Sequence, residues 1–451
     1  MLGVGLGLTD LVVLSRVPLV TMMQKPAGLG WNDDLYPITV QKAAGAYSIA
    51  EDPKSFVSPD IWIGTEYWVD VAAGNNASDG LTQGTAKKAI HSAITAGNAT
   101  GAPYRVNVKA GSYHRDHSFN SNAGTVVPTQ PCAVLAHEGR VTSGQFSETH
   151  TWAADATYTN TYSSNRSNVL RVLDRLALTD AGDMVELTKV ADAAACNSTE
   201  NSWAQVGSTL YVNRADSAPV SHVNTRTILV GWACMLGNFD IYLEGIDFEG
   251  GSSVACMNAT QTATRNVIGI DCTFKYAGTE TTAVNGVQLN NMTGLALFVG
   301  SAASANSNDG FNGHAVAGDL SLITVNCTGN DNGRGSSVSN NGWTVHEGIR
   351  AIDLGGSYNG NRDGSDVHIV NSSKAWLLGT SVVQSPDAAN SDNGCFTASD
   401  TSEMWLENTS AAAQSGSAKA VWAASAGSVI HKRNHATVQG VETAVGTIDT
   451  F

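Results

Sequence analysis

One short phrase recurs five times in the second half of the chain, and its spacing constrains the fold more than any other feature. Each copy opens with Asn or Asp followed by Gly, and the sixth position is His in three copies. The copies are Asn285–Asn290, Asp309–His314, Asn341–His346, Asp363–His368 and Asn393–Ala398. Their sixth positions lie 24, 32, 22 and 30 residues apart. A repeat of this length without helical periodicity predicts a solenoid of stacked strands.

The side chains within the phrase alternate in character, which predicts the directions in which they point. Positions three and five are mostly apolar or small, whereas positions four and six are polar in the middle three copies. This alternation is typical of a strand that is buried on one face. Equivalent residues of adjacent coils lie about 4.8 Å apart. We therefore predict an outward-facing ladder of His314, His346 and His368, with Asp309 and Asp363 close by in the Asx-Gly turns.

Composition excludes some classes of partner. The chain has 451 residues, a formal net charge of −15 and 14% charged residues. An acidic surface argues against binding to nucleic acid or to an anionic membrane. Residues 1–23 are apolar, but Asp10 and Arg16 interrupt them, so they predict neither a signal peptide nor a membrane span. The seven cysteines form no Cys-x-x-Cys pair, which favours isolated buried thiols over a zinc site.

The pattern along the chain predicts three regions. Residues 1–66 have no clear period and form a leader that we interpret as an attachment segment. Residues 67–426 form the solenoid, interrupted by a β-rich subdomain inserted at about 145–227. Residues 427–451 form a C-terminal tail, which is a candidate for pairing with other subunits.

The start of the predicted solenoid resembles a known fold. The run Tyr67-Trp-Val-Asp is followed by Asp79-Gly-Leu, a predicted helix over 85–99 and the strand Tyr104–Tyr113. This order resembles the opening turn of pectate-lyase-like right-handed parallel β-helix proteins, in which a short helix caps the open end. The resemblance implies an all-β, right-handed parallel β-helix with a short N-terminal capping helix. It implies no particular activity, because lyases, hydrolases and non-enzymes share this fold.

A second resemblance concerns biological setting. The Gly- and Leu-rich start resembles the N-termini of some tailed-phage virion proteins, and phrases such as Asp309-Gly-Phe-Asn-Gly-His314 resemble those of phage and bacterial β-helix proteins with suspected polysaccharide activity. Together with a β-helix body, these features resemble a phage tailspike or receptor-binding depolymerase. That likeness implies a homotrimer in the virion that binds and depolymerises a bacterial surface polysaccharide at the host cell surface. It also implies that the N-terminus attaches to phage tail or baseplate proteins. A non-catalytic adhesin or structural virion protein and a secreted bacterial enzyme stay open as alternatives.

Hydrolysis of a glycosidic bond requires two carboxyl groups. These lie about 5–5.5 Å apart in retaining enzymes and about 6.5–9.5 Å apart in inverting enzymes. Adjacent coils give roughly the first distance, and a separation of two coils gives roughly the second. We therefore predict Asp309 with Asp363, or Asp366 with Glu347, as catalytic pairs, and we favour a glycoside hydrolase. Asp309 and Asp363 have a structural alternative, because such side chains often bind turn amides.

A lyase that acts on a uronate-containing glycan is the second candidate chemistry. It needs a base for proton abstraction and a cation that neutralises the uronate carboxylate. His314, His346 and His368 are the candidate bases. The predicted substrate contacts are Asn312, Arg334, Trp343, Arg350 and Arg362. Trp343 also has an inward orientation that favours a place in the core. We predict no metal site and no cofactor, although the histidines could ligate a divalent ion, and calcium stays an alternative.

Overall fold

The chain folds into a parallel β-solenoid of about 12 turns. The computed structural model describes residues 19–120, 126–252, 255–259, 264–279, 281–335, 339–384 and 393–451. Successive coils contribute strands to three long parallel sheets, which we name first, second and third after their order in one coil. The predicted all-β solenoid is confirmed. Within these residues, no helix is long and apolar enough to cross a membrane.

The strands are short, and most of them belong to one sheet only. The first sheet contains Thr65–Val69, Ile241–Glu244, Val267–Ile270, Arg350–Leu354, Lys374–Leu378, Glu403–Glu407, Val429–Arg433 and Thr447–Thr450. The second contains Ile246–Glu249, Thr273–Lys275, Ala302–Ser304, Ser357–Asn359, Ser381–Val383, Ser410–Ala412 and Ala436–Gln439. The third contains Cys234–Met235, Ala255–Asn258, Trp343–Val345, Val367–Ile369, Gly394–Ala398, Lys419–Ala423 and Val441–Ala444. Four longer strands bend from one sheet into the next: Tyr104–Tyr113, Cys132–Gly144, Asn285–Val299 and Phe311–Val325.

The core is a column of apolar side chains that the three sheets enclose. Phe248, Phe274, Phe298 and Phe311 form a continuous row of rings, with successive centroids 5.5, 6.0 and 5.3 Å apart. Burial of such side chains stabilises the fold by about 1.5–3 kcal/mol each. Six of the cysteines that were predicted to be buried are confirmed as buried: Cys132, Cys196, Cys234, Cys272, Cys327 and Cys395.

A short helix closes the N-terminal end of this column. Helix α1, Ile90–Asn98, packs Ile90, Ala93 and Ile94 against the first coils. It begins five residues later than the predicted start at 85. The backbone just before the helix has hydrogen-bond partners outside it, because Asn76 Oδ1 accepts hydrogen bonds from the Lys88 and Ala89 amides. The predicted capping helix is therefore confirmed, with a shorter extent.

Residues 19–63 lie along the outside of the solenoid. They contain the strands Thr21–Met22, Val40–Ala43 and Ala46–Ile49, two 3-10 turns at Ala27–Leu29 and Pro53–Phe56, and a helical turn at Asp60–Ile63. Their apolar side chains cover the outer face of the first sheet, where they contact Leu297, Ile323 and Trp376. An attachment role for 1–66 stays a prediction, and residues 1–18 lie outside the described part of the chain.

The inserted β-rich subdomain lies close to its predicted place. One antiparallel sheet contains Phe146–Ser147, Val169–Leu178, Met184–Glu186 and Thr225–Leu229. A second, mixed sheet contains Ala153–Ala154, Tyr162–Asn165, Thr188–Lys189, Ser202–Val206 and Thr209–Asn213, beside the helix Ala193–Ser198. Trp203, Leu210 and Val212 belong to a separate small core. The subdomain therefore buries apolar side chains of its own beside the solenoid.

The C-terminal residues continue the coils. Val429–Arg433, Ala436–Gln439, Val441–Ala444 and Thr447–Thr450 pair in parallel with strands of the three sheets. Several apolar side chains of this last coil are exposed, among them Val438 and Val445. A role for this region in oligomerisation stays a prediction.

Candidate functional site

The Asx residues of the repeated phrase bind the turn of the next coil. Asn285 Oδ1 accepts a hydrogen bond of 3.0 Å from the Asp309 amide, and Asp309 Oδ1 accepts one of 2.7 Å from the Asn341 amide. Stacked coils place equivalent backbone donors one above the other, so one Asx side chain can accept a hydrogen bond from a backbone amide of the coil above it. These side chains thereby tie successive coils together.

A second structural constraint, close packing, explains the glycines of the phrase. Asn306, Asn332 and Asn361 form an internal ladder of side-chain amides with contacts of 3.0 Å. A Cβ at Gly310 or Gly342 would lie only 2.8 or 2.7 Å from an Nδ2 atom of this ladder. The Asx-Gly repeat is therefore explained by backbone satisfaction and close packing.

Two of the predicted catalytic carboxyl groups belong to these ladders. Asp309 is 3% exposed and Asp366 is not exposed. Asp366 stands where Gly342 stands in the preceding coil, and it accepts a hydrogen bond of 2.9 Å from Asn361. Burial raises the pKa of Asp309 to about 7 and that of Asp366 to about 8. A catalytic role for either group stays a prediction, but their burial favours the structural role.

Asn312 and Trp343 are also buried. Asn312 donates a hydrogen bond of 2.6 Å to Asp309 Oδ2, which extends the turn network. Trp343 is fully buried among the apolar side chains of the central column. Its inward orientation agrees with the sequence pattern, and a ligand in the solvent cannot reach its ring.

Only two of the three histidines are in register. His314 pairs with Asn290 of the preceding coil, and its ring stacks on His346 with centroids 4.0 Å apart and an interplanar angle of 12°. His368 pairs with Thr344 instead, two positions earlier in the strand. The predicted ladder of three is therefore wrong in register. In the fourth copy, Asp363 and Gly364 lie further back in the turn, and Asp366 takes the place of the glycine.

His314 and His346 form a compact cluster with Glu347, where the third sheet turns toward the first. His314 Nδ1 lies 2.9 Å from Glu347 Oε2. One ligand atom from each of the three residues lies within 4.8 Å of the other two. The side chains of His314 and Glu347 are 32% and 40% exposed. Burial, with smaller contributions from His314 and His368, lowers the pKa of His346 to about 3.

His368 has a hydrogen-bond partner outside this cluster. Its Nε2 lies 2.8 Å from Ser399 Oγ. Burial lowers its pKa to about 4. The predicted pair of Asp366 and Glu347 is not brought together, because Asp366 stands beside Gly342, just before the strand Trp343–Val345, whereas Glu347 lies in the turn after that strand.

The predicted arginines fall on two sides of the molecule. Arg350 lines a recess beside the N-terminal segment, together with Gly30 and Tyr36. Arg334 and Arg362 instead line a cleft between the solenoid and the inserted subdomain. The three arginines therefore do not form one site. Asp363 is half-buried and follows Arg362 in the same turn, with φ of 54°.

Charged contacts hold the inserted subdomain beside this cleft. Arg171 Nη2 lies 2.6 Å from Glu186 Oε2, and its other terminal nitrogen donates to the Ala305 carbonyl. Lys275 of the second sheet lies 2.6 Å from Asp183 of the subdomain. Because Ala305 and Lys275 belong to the solenoid, their contacts with Arg171 and Asp183 fix the subdomain against the coils that carry the cleft arginines.

The cleft has a size and a lining that suit a polar ligand. It has a volume of about 570 Å³, within the usual range of roughly 300–1,000 Å³ for ligand pockets. Asp180 belongs to its subdomain wall, and Asp331, Arg334 and Arg362 belong to its solenoid wall. A smaller recess of about 240 Å³ shares both arginines and adds Glu186, Lys189 and Trp203.

The charges in the cleft influence one another. Burial lowers the pKa of Arg334, and the nearby Arg171 lowers it further. Burial raises the pKa of Asp183, Lys275 opposes that shift, and the charge of Asp331 adds to it. Asp183 and Asp331 therefore interact electrostatically, although Asp183 itself is fully buried. An anionic ligand would relieve the repulsion between the arginines.

Three acidic residues of the cleft and its smaller recess were not part of the predicted site: Asp180, Glu186 and Asp331. Asp331 could have been identified from the sequence, because it lies in a repeat. The runs Asn330–Arg334 and Asn359–Asp363 are near-copies that each contain an arginine. The structure stacks them, and Asn330 Oδ1 accepts a hydrogen bond from the Asn359 amide. Asp180 and Glu186 lie outside the repeating coils, so no periodicity could identify them.

Comparisons with known proteins assign the chain to no family. No protein-family model and no curated protein matches the chain. Among solved structures, the complex of XylC with xylose is 11% identical, with a TM-score of 0.48, over 82% of this chain and 70% of that one. GH136 lacto-N-biosidase from Eubacterium ramulus is 11% identical, with a TM-score of 0.36, over 85% and 67%.

A tailspike is also among the similar structures. The Gp54 tailspike of Acinetobacter baumannii bacteriophage AP22, in complex with A. baumannii capsular saccharide, is 10% identical to this chain. Its TM-score is 0.27, and the match covers 80% of this chain and 66% of that one. At such identities, and with TM-scores below 0.5, these similarities carry no argument about activity or substrate.

Proposed function

We propose that this protein binds and depolymerises a bacterial surface polysaccharide, by glycosidic hydrolysis, in the cleft between the solenoid and the inserted subdomain. The observation that carries the proposal is the presence of carboxyl groups on both walls of one cleft, Asp180 on one and Asp331 on the other. Glycoside hydrolases need two carboxyl groups that flank the scissile bond, one to donate a proton and one to act as nucleophile or base.

The two arginines give the cleft its selectivity in this proposal. Arg334 and Arg362 lie on the same wall as Asp331 and contribute to both parts of the cleft. A guanidinium group binds carboxylate oxygens in a bidentate manner and also donates to hydroxyl groups. We therefore expect a glycan that carries carboxylate or other acidic substituents.

The positions of the histidines disfavour a lyase mechanism with the predicted residues. His314 and His346 lie at the end of the third-sheet strands, whereas Arg334 and Arg362 precede those strands. Both arginines line the cleft, whereas His314, His346 and His368 are not among its described lining residues. A base outside the cleft cannot act on a sugar ring that is bound within it. A lyase would need a different base.

The biological setting is proposed on the sequence resemblance to tailspikes alone. In this proposal the protein is a homotrimer of a phage tail that acts at the host cell surface. Its N-terminus attaches to tail or baseplate proteins. Light scattering of the purified chain would test the trimer, since the proposal requires three times the chain mass of 46.9 kDa.

Incubation of the purified protein with capsules, exopolysaccharides and O-antigens from a panel of bacteria tests the proposed activity. Shortened chains without new absorbance near 235 nm are the expected result. Shortened chains with that absorbance would establish a lyase and contradict hydrolysis. Binding without shortening on every glycan would establish an adhesin, and neither binding nor shortening would contradict the proposal altogether.

A further inference from the structure

The cluster of His314, His346 and Glu347 offers a set of ligand atoms that the proposed function does not use. The two rings come from adjacent coils, and the carboxylate follows the second ring in the chain. Glu347 has a left-handed backbone conformation with φ of 53°. That conformation is uncommon for glutamate and turns its side chain back toward His314. The turn therefore brings all three residues to one point.

We propose that His314, His346 and Glu347 bind one divalent transition-metal ion of the zinc type. Two imidazoles and one carboxylate form a mixed nitrogen and oxygen set that suits zinc. Calcium is disfavoured, because it takes six to eight oxygen ligands and this cluster offers few. Three protein ligands leave one position of a tetrahedral ion open to water or to a ligand.

The spacing of the ligand atoms is close to what one ion requires. Ligand bonds to zinc are about 2.0–2.2 Å, so two ligand atoms of one tetrahedral ion lie about 3.3–3.6 Å apart. The three ligand atoms lie within 4.8 Å of one another, so side-chain movements of about 1–1.5 Å close the set. Both His314 and Glu347 are partly exposed and have room for that adjustment. Their exposure also gives an ion a path from solvent.

This inference does not depend on the proposed glycan chemistry. The cluster lies where the third-sheet strands end, and its three residues are not among the described lining residues of the cleft. A metal there would tie adjacent coils together and present an open coordination position on the solenoid surface. The proposal can therefore fail or succeed without changing the interpretation of the cleft.

Equilibrium dialysis of the full chain against Zn²⁺, with metal content measured by atomic emission, tests the site. We expect one tightly bound Zn²⁺ per chain and no comparable binding of Ca²⁺. We expect His346→Ala and Glu347→Gln each to weaken binding by about tenfold or more, since even indirect partners of metal ligands have effects of that size. Bound Co²⁺ should give visible absorption of a four-coordinate ion, which the same substitutions abolish.

His137→Ala is the matched control, because it removes a partly exposed histidine that also lies beside a glutamate. It should leave Zn²⁺ binding unchanged. Circular dichroism melting shows whether each variant is folded before its metal affinity is measured. Equal affinity in the wild type and in both cluster variants would overturn the proposal. So would a loss of binding in the His137 variant of the same size as in the cluster variants.

Discussion

Asp366 was predicted as a catalytic carboxyl group, but its contacts favour a structural role in the turn. It takes the place that Gly342 has in the preceding coil and continues the internal amide ladder by accepting from Asn361. Its second carboxylate oxygen has no hydrogen-bond partner in the described part of the chain. A buried carboxyl group in this position is more stable in its protonated form, which is why its pKa rises.

Replacement of Asp366 by Asn should stabilise the protein at high pH. The pKa of this carboxyl group is about 8 in the folded chain and about 3.9 in an unfolded one. Its contribution to stability is therefore complete below pH ~4 and is lost as pH rises toward 8. We expect the free energy of unfolding of Asp366→Asn, relative to that of the wild type, to rise by a few kcal/mol from pH 5 to pH 8. One pKa unit corresponds to about 1.4 kcal/mol. Urea unfolding of both proteins at each pH measures this, and an equal difference at both pH values would contradict it.

At the residue scale, the alternation within the phrase predicted burial correctly for some positions. Trp343 and Val345 point into the core as the pattern indicated. His368 was placed incorrectly, because its register depends on how many residues the preceding turn uses. That number depends on packing of Gly364 against the Asn340 backbone, a contact between coils that a single sequence does not reveal.

At the scale of the coil, the turn before the third sheet is tightly packed. Gly342 faces both the carbonyl of Gly329 and the side-chain amide of Asn361, and it has no space for a side chain. Close packing of this kind lets the asparagine ladder continue from coil to coil. The repeat was predictable from sequence because the same packing constraint recurs at Gly286, Gly310 and Gly342.

Gly342→Ala should therefore destabilise the solenoid. The added Cβ would lie 2.4 Å from Gly329 O and 2.7 Å from Asn361 Nδ2, so the backbone must shift. Overpacking of this type typically costs about 1–3 kcal/mol. Gly416→Ala is the control, since a Cβ there meets nothing within 4 Å, and it should change the free energy of unfolding by less than about 0.5 kcal/mol. Urea denaturation compares the two, and equal effects would contradict this explanation.

At the scale of the whole molecule, the N-terminal segment is an integral part of the fold. Its apolar side chains cover the outer face of the first sheet across many coils. Near the far end of this contact, Lys374 Nζ donates a hydrogen bond of 2.8 Å to the Gly28 carbonyl. This segment has no sequence period, so its packing partner could not be predicted.

Removal of residues 1–50 should expose that apolar face. Ile323, Ile352 and Trp376 lose their cover, and exposed patches of this kind promote association and dye binding. We expect increased fluorescence of the dye ANS and aggregation. Removal of residues 1–18 alone should leave both unchanged, because the covering residues are retained. A shortened chain without residues 1–50 that stays monodisperse, with unchanged dye binding, would contradict this account.

The cleft illustrates the limit of prediction from sequence at this scale. Arg334 and Arg362 were identified from the repeating coils, whereas Asp180 belongs to the inserted subdomain. Their proximity depends on how the subdomain docks, through contacts such as Lys275 with Asp183, which are 92 residues apart in the chain. Such long-range pairings have no local signature.

The rate at which Asp331→Asn shortens a polysaccharide that the wild type degrades tests whether the cleft performs the chemistry. Asp271→Asn is the control, because Asp271 also has a left-handed backbone, with φ of 48° against 54° for Asp331, but lies outside the cleft. We expect Asp331→Asn to lower the rate of reducing-end release by about 10²–10⁴-fold while the glycan still binds. Asp271→Asn should retain the wild-type rate. An unchanged rate in Asp331→Asn would contradict the assignment of catalysis to this cleft.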